Sequence, residues 1–434
     1  MSPRDQWVLP ACVDEILPPQ ARHLEALRRQ LLDIFDRWGY QLVVPPIVEY
    51  LDSLLSGIGE DLGLQTFKLT DQVSGRLMGV RADITPQIAR IDAHRMPVET
   101  PQRLCYIGPV VHSRPDKFAG SRNPLQIGAE LYGHDGIDSD AEVIALLLEL
   151  LNAAKIGQVT LELGHMGLFH AICVAAEFDA ELESRLLEVL LMKDISGLRA
   201  ELKAAAADQE VINHLAALIE LNGDATVLDT LRAALKTAPA PVAAALDEVG
   251  CLIDLLSDRA PGMDIHLDFA EIRGYRYHTG IIFAAYTPEA GRAIAWGGRY
   301  DNIGASFGRA RSATGFSTDL KILAALSTRE AVELNRIFAP PGTAADLLDA
   351  IRTLRAAGYV VVQGLPGQIG GAAEMGCQQR MDHSSGRRLL GDNLIRHSPL
   401  IVPLVGPQAR SWPISVRLIS CSSLVTTARR GERS

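Results

Sequence analysis

Three short stretches carry side chains able to hold a small zwitterion. Asp83 and Thr85 close the segment "VRADIT". Gln126 and Glu130, in "LQIGAELYG", stand four residues apart, which in a β-strand is the same face. Arg273, Tyr277 and His278 lie in "EIRGYRYHTG". Brought together, the acids and the amide would take an ammonium group. The planar guanidinium of Arg273 would take a carboxylate as a fork, and an aromatic ring or imidazole would close the pocket. Each group also has a plainer reading: Asp83 and Thr85 as a helix cap, Glu130 and Arg273 as an ion pair. Gly297 and Gly298 in "WGGRYDNIG" permit close backbone approach, or only a bend.

The elements that must position these groups follow from pattern. Leu and Ile recur at three- and four-residue spacing over 19–38, an amphipathic helix closed by Gly39. "YQLVVPPIVEY" reads as a strand broken at Pro45–Pro46, an edge or a strand end, because two prolines cannot sit in a central ladder. Residues 67–85 read as a hairpin turning at "SG", and Thr85 and Pro86 open a helix as cap and first turn. Residues 102–133 form a second hairpin with a Gly-, Ser-, Pro- and Arg-rich loop. Helices over 138–155 and 166–177 flank a strand over 158–165. Residues 178–260 are Ala-, Leu- and Glu-rich with helical period, an all-helical insertion. Strands return over 261–330 before a last helix. The class is α+β, with mostly antiparallel strands and helices packed on one side. A small α/β unit spans 331–390. Past it the texture changes: over 391–434 lysine is absent, only Asp392 and Glu432 are acidic, and neither periodicity nor caps can be found. That tail is expected to be poorly ordered.

Composition bounds the function. The 434 residues, 47% hydrophobic and 22% charged, suffice for two or three domains with their own cores. The net charge of -10 disfavours broad nucleic-acid binding. The six cysteines lie far apart without CxxC or His-rich spacing, as expected of free thiols in a reducing cytoplasm with no metal. No signal peptide is read, and the longest apolar stretch, residues 141–154, is too short and too charged to span a membrane.

Over residues 5 to about 326 the motifs, in order, resemble the catalytic core of a class II aminoacyl-tRNA synthetase of the histidyl-tRNA synthetase type. "LPACVDEILP" resembles its N-terminal signature. "WGYQLVVPPIVEY" resembles motif 1, with Pro46 at the dimer-interface proline. "VRADITPQIAR" resembles the Arg-Pro-Glu-Gly-Thr element, "LQIGAELYG" the Gln-x-Gly-x-Glu strand, and "IRGYRYHTG" and "GGRYD" the two histidine motifs. The resemblance implies a histidine pocket of Asp83, Thr85, Gln126, Glu130, Arg273 and Tyr277, with His278 replacing a tyrosine.

The departures fall on the nucleotide side. Motif 2 should end in Phe-Arg-x-Glu; here stand Val111, His112 and Ser113, with Arg114 displaced along the loop. Motif 3 should end in Glu-Arg; "GFSTDLKIL" puts Asp319, Lys321 and Ile322 at its Gly, Glu and Arg places. Losing one preset donor to developing charge costs on the order of 10²–10³ in rate, so losing both phosphate-binding arginines should end adenylation. The C-terminal unit spans about half of the synthetase anticodon domain and is not basic. This combination resembles one paralogous family, the regulatory subunits of ATP phosphoribosyltransferase. That resemblance implies a homodimeric core, a hetero-oligomer with the short-form catalytic subunit, L-histidine as feedback effector, and neither tRNA, membrane nor cofactor. An active synthetase would need the two arginines. A free-standing histidine sensor would need no partner.

Overall fold

The computed structural model describes residues 7–56, 60–115, 120–271, 278–329, 336–381 and 388–390. The chain divides into two units, residues 1–332 and residues from 333 onward. The tail 391–434, and with it the expectation of disorder, lies outside the described residues.

A nine-stranded sheet organises the first unit. From one edge its strands run Gln41–Leu42, Gln102–Pro109, Leu125–Tyr132, Ala313–Asp319, Ala293–Arg299, Ile281–Tyr286, Thr160–His165, Asp264–Leu267 and Gly223–Asp224. Neighbours are antiparallel, except that Gln41–Leu42 runs parallel to Gln102–Pro109 and Thr160–His165 parallel to Asp264–Leu267. Gln41–Leu42 is an edge, as the double proline demands; beyond it Val48–Tyr50 joins Leu77–Val80 and Phe67–Thr70 in a separate three-stranded sheet.

Strand alternation assigns the two faces. Cys105, Ile127, Ala129, Leu131 and Phe316 point into the main core. The helices Gln20–Arg37 and Ile137–Ala153 cover that face; the first buries Leu27, Leu31, Ile34 and Phe35, the i, i+4, i+7, i+8 stripe of an amphipathic helix. Leu104, Tyr106 and Tyr132 point the other way, onto a second core. Ile84 just before the Thr85–His94 helix, Ile88 within it, Tyr300 and Phe307 belong to it as well. Helices therefore pack on both faces, not one, and among the described residues the functional face carries this shorter helix and the 3₁₀ turn Ile303–Phe307.

The 178–260 insertion folds as helices Ala180–Leu191, Ile195–Ala204, Gln209–Glu220, Val227–Ala234 and Ala240–Arg259. It is not wholly helical: Gly223–Asp224 pairs antiparallel with Asp264–Leu267 and ends the main sheet. Two residues are too few for any period to mark them. In the second unit, Arg336–Ala339 pairs parallel with Val360–Gln363 and Gln379–Met381, around the helix Ala345–Ala356.

Candidate functional site

The Leu125–Tyr132 strand supplies the floor. Gln126, Gly128 and Glu130 alternate onto the functional face. The register lays three rows across the sheet there. Glu130 lies opposite Gly315, Gly128 opposite Ser317, and Gln126 opposite Asp319. Trp296 extends the middle row, paired with Ser317 on the next strand. Glycine is required at two points. A Cβ at Gly315 would lie 1.6 Å from Glu130 Oε2, and one at Gly128 would lie 2.4 Å from both the Tyr106 hydroxyl and the Phe316 carbonyl.

Glu130 is 1% exposed and accepts hydrogen bonds from Thr85 Oγ1 at 2.9 Å, Tyr106 OH at 3.1 Å and Tyr300 OH. Burial pushes its carboxyl up to about 8; the three hydroxyls oppose that rise and the charge of Asp83 adds to it. Burial likewise holds the phenols of Tyr106 and Tyr300 well above their usual range, so both remain neutral donors. Gln126 Nε2 donates to Asp83 Oδ1 at 2.7 Å, and its Oε1 accepts from the Ile84 amide at 2.9 Å. Asp83 Oδ1 also accepts from the Thr85 amide at 3.1 Å. The Thr85 hydroxyl is therefore not a helix cap: it turns inward to Glu130. Arg273 and Tyr277, and with them the Glu130–Arg273 ion-pair reading, lie outside the described residues. His278 is half-buried, its ring centroid 6.4 Å from that of Tyr300.

The structure thus brings Asp83, Thr85, Gln126, Glu130 and His278 together and adds Tyr106, Tyr300 and Trp296, which were not chosen from sequence. Tyr300 had a signal, since it is the tyrosine of "GGRYD". Its neighbours in that motif are structural. Arg299 reaches the fully buried Asp140 at 2.6 Å and the carbonyls of His134 and Gly136. Asp301 accepts from Thr279 Oγ1 at 2.8 Å and from the Ala313 amide, fixing the chain just beyond His278. Arg81, at the arginine place of the Arg-Pro-Glu-Gly-Thr element, is structural too. It is 3% exposed and donates to the carbonyls of Pro109 at 2.9 Å and Pro45 at 2.8 Å. Gln87 Nε2, on the site helix, donates to the Pro46 carbonyl at 2.8 Å.

Beside this cluster lies a cavity of about 200 Å³ lined by His112, Asp319 and Ile322, with Arg292 its single guanidinium among the described residues. His112 Nε2 is bound to the Ala82 carbonyl at 3.0 Å. Asp319 is 7% exposed and accepts from the amides of Leu125 and Lys321, each at 3.0 Å; burial raises its carboxyl. Lys321 reaches Asp14 at 3.1 Å, on the N-terminal segment. Where the synthetase motifs would place two arginines, the cavity has an imidazole tied to a carbonyl and an isoleucine, with a carboxyl alongside.

A mostly antiparallel sheet with these motifs defines the class: the sequence matches the family "Histidyl-tRNA synthetase" over residues 12–323. The second unit matches "ATP phosphoribosyltransferase subunit HisZ C-terminal domain" over residues 334–387. The chain is 51% identical over 386 residues to an ATP phosphoribosyltransferase regulatory subunit of Thioalkalivibrio sulfidiphilus, covering 89% of this chain and 98% of that protein. It is 48% identical to the one from Pseudomonas aeruginosa, covering 88% and 96%. Among solved structures, an ATP phosphoribosyltransferase regulatory subunit/histidyl-tRNA synthetase from Bacillus halodurans superposes with a TM-score of 0.75 at 25% identity, over 86% of this chain and 97% of that one. A histidyl-tRNA synthetase from Nostoc shares the fold, with a TM-score of 0.70 at 19% identity over 87% and 91%. This chain belongs to the family of ATP phosphoribosyltransferase regulatory subunits, a histidyl-tRNA synthetase-like branch of the class II fold.

Proposed function

We propose that this chain is a non-catalytic, histidine-binding subunit of the cytoplasm. It assembles with the short-form catalytic subunit of ATP phosphoribosyltransferase, supports the first step of histidine biosynthesis and carries feedback inhibition by L-histidine. One observation supports this above the rest: Asp83, Gln126 and Glu130 gather beside a cavity whose described lining has His112 and Ile322 at the places of the two phosphate-binding arginines. Asp83 takes the ammonium of histidine, held in place by Gln126. Glu130 takes the imidazole, oriented by Thr85, Tyr106 and Tyr300. Arg273 takes the carboxylate, and Tyr277 and His278 close the pocket. The chain uses no cofactor and binds no tRNA.

The test is an ATP phosphoribosyltransferase assay with this chain, the short catalytic subunit, and both together, with and without histidine. Activity only in the mixture, inhibited by histidine, is expected. A catalytic subunit that is equally active and equally inhibited alone overturns the reading. Histidine-dependent exchange of pyrophosphate into ATP by this chain alone would restore the synthetase reading; none above a no-enzyme control is expected.

A further inference from the structure

We infer that this chain has a second ligand site, apart from the amino-acid site: a pocket for a small carboxylate on an apolar body, in which Arg329 takes the carboxylate.

The pocket is a cavity of about 620 Å³, bounded by the N-terminal segment, the start of the Gln20–Arg37 helix and the chain from Lys321 to Arg329. Small-molecule sites commonly hold roughly 300–1,000 Å³. It shares no lining residue with the 200 Å³ cavity beside Glu130. Ile16, Leu17, Pro19 and Leu24 give it one apolar side, and Ala324 and Ala325 another. Leu17 is 62% exposed, apolar surface that the body of a ligand would cover.

Two polar atoms of side chains in this lining are sealed from solvent and have no hydrogen-bond partner, Arg329 Nη1 and His23 Nε2. Arg329 is half-buried, and among the described residues its one hydrogen bond is made by its backbone amide, which donates to Ser327 Oγ at 3.3 Å. It does not hang from a loose end. Ser327 Oγ donates to the Ala154 carbonyl at 2.7 Å and Thr328 Oγ1 to that of Lys155 at 2.9 Å, which pins the backbone just before it. A charged donor hidden from water without an acceptor is destabilising, and an anion placed against it removes that cost.

The neighbouring charges select the anion. Lys321 is already matched by Asp14 at 3.1 Å, and Asp14 also accepts from Ser121 Oγ at 2.8 Å. Arg329 is thus the cation of the described lining that lacks a counter-ion, while Glu15 is exposed and adds negative charge. One free guanidinium near an acid suits a single negative charge better than a doubly charged phosphate. A carboxylate matches the planar fork. His23 Nε2 is a second donor whenever it carries the proton. The first turn of the Gln20–Arg37 helix has neither an acidic residue nor a capping side chain, so its amide end adds to the attraction.

The experiment titrates the full chain with acetate, hexanoate, benzoate, phenyl phosphate and hexylamine by calorimetry at fixed ionic strength. Hexanoate and benzoate should bind about tenfold or more tightly than acetate, because only they cover the apolar walls. Phenyl phosphate should bind more weakly than benzoate, and hexylamine not at all. Arg329→Gln should weaken hexanoate and benzoate by about tenfold or more, and Arg329→Lys should recover part of that. His23→Phe should weaken them by about three- to tenfold, and Glu15→Gln should tighten them. Melting curves confirm folding, and the His23 and Glu15 variants decide the matter if Arg329→Gln does not fold. No saturable binding of either carboxylate by the native chain at millimolar concentration overturns the site. So does binding that survives in Arg329→Gln, or that is unmoved in both His23→Phe and Glu15→Gln. Tighter binding of phenyl phosphate or hexylamine than of the carboxylates overturns the ligand class.

Discussion

Glu130 is the residue on which the site turns. A carboxyl pushed up to about 8 by burial is protonated at neutral pH in the empty site and can pass its proton to an imidazole on binding. Near pH 7 the proton is already present, so binding takes up none. Above pH 8 the empty site has lost it, and the complex must recover one from solvent. Histidine affinity should therefore be level from about pH 6.5 to 8 and fall by up to about tenfold per unit above that. Glu130→Gln should weaken binding by about 2–5 kcal/mol and flatten the profile, as titration across pH would show. The same group acts on stability. Its folded pKa is raised, so its contribution is complete below the unfolded value of 4.5 and is lost as pH rises toward 8. Glutamine matches the protonated carboxyl in shape, so Glu130→Gln should fold. Between pH 5 and 8 its melting temperature should fall less than that of the native chain. An unchanged slope would show that Glu130 is ionised in the fold.

At the scale of elements, Arg81 and Gln87 tie the site helix to the double proline. Arg81 bridges the Pro45 and Pro109 carbonyls from inside the protein, and Gln87 joins Pro46 to the Thr85–His94 helix. Arg81→Met leaves those carbonyls buried without donors, each at a cost of about 1–3 kcal/mol. A loss of about 2–4 kcal/mol in denaturant unfolding is expected. Histidine binding should weaken with it, because the strand-to-helix turn carrying Asp83 and Thr85 would loosen. Full stability in Arg81→Met would contradict this role. The three-stranded sheet next to this tie, and the segment that leads into it, are open to solvent. Val44, Ile47, Val48, Phe67 and Leu77 are between 37% and 78% exposed, an unusual apolar surface for a monomer. Its position at the motif 1 segment fits the homodimer that the resemblance implies. The chain should sediment as a dimer at micromolar concentration, and Val44→Asp should shift it to monomer while secondary structure persists.

For the whole molecule, the matches to known families end at residue 387, and no described helix is long and apolar enough to cross a membrane. The 391–434 segment, with its abrupt loss of acidic residues and lysine, should be dispensable. Removing it is expected to leave solubility, melting temperature and capture of the short catalytic subunit unchanged. Insolubility or loss of the partner would show that it is structural. Assembly should instead depend on the dimeric core, so Val44→Asp should also reduce the catalytic activity recovered in the mixture.

The sequence by itself determined most of this protein's secondary elements, because their signals are local. The Leu27–Phe35 stripe repeats every three or four residues, the double proline excludes a central strand, and Gln126 and Glu130 share a face by strand period alone. His112 and Ile322 at the two arginine places were also legible, since motif spacing counts residues along the chain. What only the tertiary structure decided depends on neighbours far apart in sequence. Thr85 reads as a cap locally, yet Glu130, forty-five residues on, draws its hydroxyl inward. Arg81 stands at a motif position, yet its role as a bridge between the Pro45 and Pro109 carbonyls appears only where three chain segments meet. Gly223–Asp224 has no period to detect and is a strand only because Asp264–Leu267 offers an open edge. The raised pKa of Glu130 is likewise set by burial among residues such as Tyr106, on a neighbouring strand, and Tyr300, just past the end of another, a property that no single stretch of sequence carries.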